Sequence, residues 1–218
     1  MLLKEMLATI FIFIAALFSN NSIRSINSNK SNSDCVIING GGFSGFWYYY
    51  GYLKSNNIAN KPIYCYSSGC LAYIASLGSN NVSYYYDLAN KLVIDYNNNK
   101  INSYELKENY INIISKTISN IQNYNLNILT SNYLGQCIIK KPRSVSELIV
   151  ALDETTNIPL ITTKLDFSKN IDGAFCITFI NKCAHTITIP YDYKVYRNML
   201  NINMSYKDIV YFLTYVKS

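Results

Sequence analysis

Three short segments of the chain carry groups that can do chemistry. In the first, Gly40, Gly42 and Gly45 satisfy G-x-G-x-x-G directly after the apolar residues 35–38. Successive backbone N–H groups at a helix N-terminus bind any negative charge, so this spacing serves a phosphate or an oxyanion equally. A dinucleotide site would want an acidic residue about 20 positions on for the ribose, and no Asp or Glu lies between Asp34 and Asp87. A Walker loop would want Gly-Lys-Ser/Thr, which does not follow. In the second segment, Cys65-Tyr66-Ser67-Ser68-Gly69 sets a serine between two apolar stretches. This is the nucleophile elbow G-x-S-x-G with Cys in place of the first Gly. Small residues are wanted there because backbone passes close to backbone, and Cys is small enough. In the third, Asp172-Gly173-Ala174 has apolar flanks that predict partial burial and a glycine that permits close approach, which makes Asp172 the candidate base for Ser67. Ser68 is the second candidate nucleophile, out of register with S-x-G.

The single histidine, His185, limits the alternatives. A triad or metal centre needing two imidazoles cannot be built from one chain, and no C-x-x-C pair suggests zinc. No cofactor or metal is implied. Ser67, Asp172 and His185 do occur in the chain order of an α/β-hydrolase triad, but residues 185–189 alternate like a strand, which predicts a structural histidine. The net charge of +6, from 19 basic and 13 acidic residues without a long basic run, speaks against a dedicated nucleic-acid arm and suits a mild attraction to anionic surfaces. Half the chain is hydrophobic and only 15% is charged, so one sizeable core can be buried and a disordered chain is excluded.

The elements that must position these groups follow from the apolar pattern. Residues 35–38 read as a strand buried on both faces, opening into the glycine loop, and residues 46–54 read as a buried helix ended by Asn56, Asn57 and Pro62. A second strand at 63–65 runs into the serine turn and then a helix over 70–77, closed by Gly78. Two strand–loop–helix units in about 45 residues predict a parallel sheet with helices packed on it. Helices are expected over 84–96 and over 103–122, where Leu106, Tyr110, Ile113, Ile114, Thr117, Ile118 and Ile121 share one face. Ser144 and Glu147 predict a capping box before an apolar helix at 148–152. Residues 160–163, 174–179 and 186–189 alternate as strands do, and Ser205 with Asp208 caps a last helix running to Val216.

The order of the three chemical segments resembles that of the patatin-like phospholipases, including their adiponutrin-like branch. The family pattern is G-G-G-x-R/K-G, G-x-S-x-G and D-G-G/A; here it reads Gly40-Gly41-Gly42-Phe43-Ser44-Gly45, Cys65-Tyr66-Ser67-Ser68-Gly69 and Asp172-Gly173-Ala174. Gly51-Tyr52-Leu53 and Ile158-Pro159 add to the likeness, which spans residues 36–189. The resemblance implies a three-layer α/β/α fold with a mostly parallel central sheet, and a lipid acyl hydrolase of the phospholipase A or lipase type. In it Ser67 is the nucleophile, Asp172 the general base, and the loop of Gly40, Gly41 and Gly42 the oxyanion hole, with the Gly41 and Gly42 amides as donors. The substrate would be a glycerolipid or phospholipid, met at a membrane or lipid-droplet surface, with no nucleic-acid partner. Three departures stand out: Ser44 where the family carries Arg or Lys, Cys65 for Gly, and no Asn or Pro shortly after the D-G motif. They leave two alternatives, a catalytically inactive lipid-binding relative and a Ser-His-Asp esterase.

Residues 6–18 form a run that is apolar but for Thr9, the length of a signal-peptide core rather than of a membrane span. Residues 1–19 are expected to be a signal peptide or a membrane anchor, 20–33 an Asn/Ser-rich flexible linker, and 34–218 one patatin-like domain. That places the chain in the secretory pathway, secreted or in the endoplasmic reticulum. There disulfides are permitted and the sequons at Asn29, Asn81 and Asn203 could be glycosylated. Six cysteines allow 15 pairings, and the sequence selects none. The aromatic run 46–50 with Tyr52, and Tyr84, Tyr85 and Tyr86, could face either a lipid interface or the core.

Overall fold

The computed structural model describes residues 33–56, 58, 60–164, 166–176 and 183–215. The expected signal or anchor segment, and the linker up to residue 32, lie outside the described residues. Strand β1 (Ser33–Ile38) has Cys35, Val36, Ile37 and Ile38 all buried, as a strand covered on both faces requires. Helix α1 (Gly42–Ser55) follows at once, then β2 (Ile63–Cys65) and α2 (Ser68–Leu77). Next come α3 (Val82–Asn97), α4 (Ser103–Ser115), β3 (Leu126–Ser131), β4 (Cys137–Lys140) and α5 (Val145–Thr155). The chain finishes with β5 (Ile171–Asp172), β6 (Cys183–Ile187), α6 (Tyr193–Arg197) and α7 (Tyr206–Thr214). The fold is α/β around a mixed six-stranded sheet in the order β4-β3-β2-β1-β6, with β5 beside β3. Strands β3, β2, β1 and β6 run parallel, whereas β4 and β5 pair antiparallel with β3. The parallel strands therefore end at one edge, and that edge receives the glycine loop, the serine turn and the exit of β6.

Several expectations need correction. The helix expected over 103–122 stops at Ser115. Ser115 Oγ and Thr117 Oγ1 donate to the carbonyls of Asn112 (3.2 Å) and Ile114 (2.7 Å), side-chain bonds that compete with the helical ladder. Ile118 and Ile121 are buried all the same, from turns and a short 3₁₀ segment. Residues 160–163 form a turn carrying only an isolated Pro159–Thr163 bridge, and Gly173–Phe175 is a 3₁₀ turn rather than a strand; residues 177–179 lie outside the described ones. The Ser144 side chain accepts from the Glu147 amide at 3.2 Å, but Glu147 reaches past it to the Arg143 amide at 2.8 Å, so the reciprocal half of the capping box is displaced by one residue. Ser205 and Asp208 make the complete box at α7.

Most of the aromatic run faces the core, although Tyr48, Tyr52 and Tyr86 are half-buried and Tyr84 is exposed. Phe46, Trp47, Tyr49, Tyr50 and Tyr85 are buried, and Phe46 meets Trp47 edge to face with ring centroids 5.0 Å apart. A helix wedged between neighbours must be apolar on every side, and α1 packs against both α2 and α7. All six cysteines are paired: Cys35–Cys183 ties β1 to β6, Cys65–Cys70 brackets the serine turn, and Cys137–Cys176 ties β4 to the turn after Asp172. Among the described residues no helix is long and apolar enough to cross a membrane.

Candidate active site

Ser67 sits between β2 and α2 with φ 54° and ψ −137°, one of three described non-glycine residues with positive φ. Such a conformation costs about 1–3 kcal/mol and persists only where the surroundings over-determine it. Here they do. The Ser67 amide donates to Thr155 Oγ1 at 2.9 Å, and Thr155 Oγ1 donates to the Leu129 carbonyl in β3 at 2.7 Å. The Gly69 and Cys70 amides close the turn on the carbonyls of Tyr66 and Ser67, each at 3.1 Å, and the Cys65–Cys70 disulfide clamps its two ends. The position read from sequence as a tolerated steric change is thus half of a covalent staple. A Cβ on Gly40 would stand 2.9 Å from Ser67 Cβ. Only glycine lets the loop pass the serine this closely.

Asp172 lies in β5 opposite Thr130, fully buried, with its amide donating to the Asn157 carbonyl at 2.9 Å. Oδ1 accepts from the Ala174 amide at 2.8 Å. The Ser67 hydroxyl interacts with the carboxylate and offsets a small part of the rise in its pKa that burial causes, yet Oδ2 has no partner at full hydrogen-bond geometry among the described residues. The contact between serine and carboxylate is therefore loose, as catalytic hydrogen bonds often are before a substrate tightens them. Burial dominates over the Ala174 amide and Ser67 and pushes the Asp172 pKa up to about 7. A free aspartate, near ~3.9, is a weak base; one titrating near neutrality is suited to take a proton at physiological pH.

The glycine loop follows β1 at the same edge. The Gly41 amide donates to Ser68 Oγ at 2.9 Å, so this expected oxyanion donor is engaged by a side chain. The Gly42 amide has no acceptor among the described residues, and neither has that of Ser68 at the start of α2. Gly40 faces a neighbour instead: its backbone and the Asp172 charge both act on the buried Tyr66 phenol, whose pKa burial raises well above the usual value. Ser68, the second candidate nucleophile, is buried, and its Oγ is taken up as the acceptor of the Gly41 amide. Ser44 anchors the start of α1, donating from Oγ to the Val195 carbonyl of α6 at 2.7 Å while fully buried.

His185 is not brought to the site. It is exposed in the middle of β6, opposite Val36, and its charge is felt by Asp34 at the start of β1, away from the carboxyl edge. Sequence reasoning missed Thr155 and Asn157, which hold the Ser67 and Asp172 amides from the end of α5, and Tyr66, set between Gly40 and Asp172. The one signal was a polar Thr-Thr-Asn before Ile158-Pro159, where the end of an apolar helix would otherwise be expected. Among the described residues no three His, Cys, Asp or Glu come together to hold a metal. In comparisons with family models, curated proteins and solved structures nothing matches this chain, so the geometry of Ser67, Asp172 and the glycine loop is what bears on function.

Proposed function

We propose that the chain is a lipid acyl hydrolase of the patatin-like type, with the three-layer architecture of that family, acting on carboxylic esters of glycerolipids through a Ser67–Asp172 dyad. The observation that carries this reading is the pairing of a serine held at positive φ with a buried aspartate titrating at about 7. Ser67 Oγ attacks the ester carbonyl while Asp172 takes its proton. The oxyanion that forms meets the glycine-loop amides, Gly42 first and Gly41 after it releases Ser68. Collapse of the tetrahedral intermediate expels the alcohol, which leaves with the proton from Asp172. A water, giving its proton to Asp172, then splits the acyl-Ser67 ester and releases the fatty acid. No imidazole is needed.

The test is Ser67→Ala against a fluorogenic short-chain ester, with the wild-type protein also challenged by a fluorophosphonate probe. Hydrolysis should fall to background in the variant, and the probe should label Ser67. Unchanged hydrolysis in a folded variant, or labelling on Ser68 instead, would remove Ser67 from the mechanism. A folded wild-type protein that neither hydrolyses nor labels would overturn the hydrolase reading.

A further inference from the structure

The carboxyl edge of the sheet carries two exposed apolar lobes, one on either side of Ser67. The first is built on the β3–β4 hairpin, where Leu134 is 81% exposed, and on Phe167, 73% exposed, whose ring lies 4.8 Å from that of Tyr133. The second follows β6, where Tyr191 is 84% and Tyr193 78% exposed at the start of α6. That helix is fastened to the glycine loop, because the Phe43 amide donates to the Met199 carbonyl at 2.8 Å and Ser44 to Val195. β3 and β6 are three strand spacings apart, about 14 Å, and β2, which delivers Ser67, lies between them. Exposed apolar side chains grouped on the sheet edge that carries Ser67 fit a docking surface better than single scattered ones do.

The charge there selects the partner. Lys194 and Arg197 are exposed on α6, the Lys194 ammonium lying 4.4 Å from the centre of the Tyr211 ring, and Lys164 is exposed three residues before Phe167 in the chain. Of the acids facing them, Asp192 is held by the Lys194 and Val195 amides and the Tyr211 hydroxyl, and Asp166 by Ser168. Tyrosine rings with adjacent cations suit a lipid–water interface bearing anionic headgroups. We propose that the two lobes around Ser67, Leu134 with Phe167 and Tyr191 with Tyr193, are the footprint by which the protein sits on an anionic lipid surface. Resting on the hydrolase reading, this makes the carboxyl edge the plane through which an acyl ester enters.

An environment-sensitive dye placed on Leu134→Cys, on Tyr191→Cys, or on Lys141→Cys reads the footprint directly in the oxidised full chain. Lys141 follows β4 at the opposite edge of the sheet. On mixing with phosphatidylcholine vesicles containing phosphatidylserine, the dyes at 134 and 191 should shift to the blue and the dye at 141 should not. Lys194→Ala with Arg197→Ala should weaken the association about 25-fold, roughly fivefold for each basic residue near an anionic surface. A shift at neither lobe, at one lobe only, or at 141 as well would overturn the proposal. So would unaltered affinity in the charge variant, or a shift that needs only more protein and no vesicles, which would mark self-association. Hydrolysis of a soluble ester is scored separately: an active esterase with both dyes in water keeps the hydrolase and loses the footprint, and dyes that shift on an inactive protein do the reverse.

Discussion

At the residue scale the decisive group is Asp172, whose raised pKa links chemistry to stability. An unfolded aspartate titrates near ~3.9, so between there and about 7 the folded protein keeps a proton that the unfolded chain has released. The stability contributed by this group is fully present below the unfolded value and is lost as pH rises through the folded one. The difference amounts to at most ~4 kcal/mol. Asp172→Asn removes the ionisation while its side-chain oxygen can still accept from the Ala174 amide. The variant is expected to unfold at higher urea than wild type at pH 8, by ~1–4 kcal/mol, with turnover at least ~10²-fold lower. In wild type, kcat/KM should climb about tenfold per pH unit and level off near pH 7. A variant that is less stable and still active would remove Asp172 as the base. The candidate nucleophile and base were legible because Ser-x-Gly and Asp-Gly announce tight turns. Thr155 was not, since a threonine at a helix end says nothing local about which distant amide it will meet.

At the scale of elements, two disulfides have separable tasks. Cys35–Cys183 closes a separation of 148 residues between neighbouring strands, and Cys65–Cys70 closes one of five around Ser67. Loop-closure entropy makes the long bridge worth ~5 kcal/mol and the short one about 2. Cys35→Ala with Cys183→Ala is therefore expected to lose more stability in urea unfolding than Cys65→Ala with Cys70→Ala. The second pair should lose more ester turnover, because it releases the turn that holds the serine at positive φ. Equal activity losses at equal residual stability would show that the short bridge is only structural. The buried parallel strands β1 and β2 were legible as short apolar runs between turn residues. β3 was not: its six residues include Asn127, Thr130 and Ser131, all buried. Asn127 is accommodated by donating to the Ile63 carbonyl at 3.1 Å, a partner supplied by the neighbouring strand.

Over the whole molecule, two disulfides join segments 148 and 39 residues apart and a third spans five; structural disulfides form in an oxidising compartment, so the secretory route expected from residues 6–18 can be tested through them. Protein made in that compartment and denatured without reductant should expose no thiol to a maleimide, and six after reduction; free thiols in the first sample would argue against the route. The sequence by itself determined an α/β class, the order glycine loop, serine turn, aspartate turn, and a chemistry without a second imidazole, because these depend on residue type and short-range spacing. Only the tertiary structure decided which cysteines pair, that Ser68 holds Gly41, that Ser44 anchors the loop to α6, and that most of the aromatic run is core. It also decided the basicity of Asp172, since the pKa is set by how completely β3, β5 and the turn after Asp172 exclude water, a property of packing that no local pattern carries.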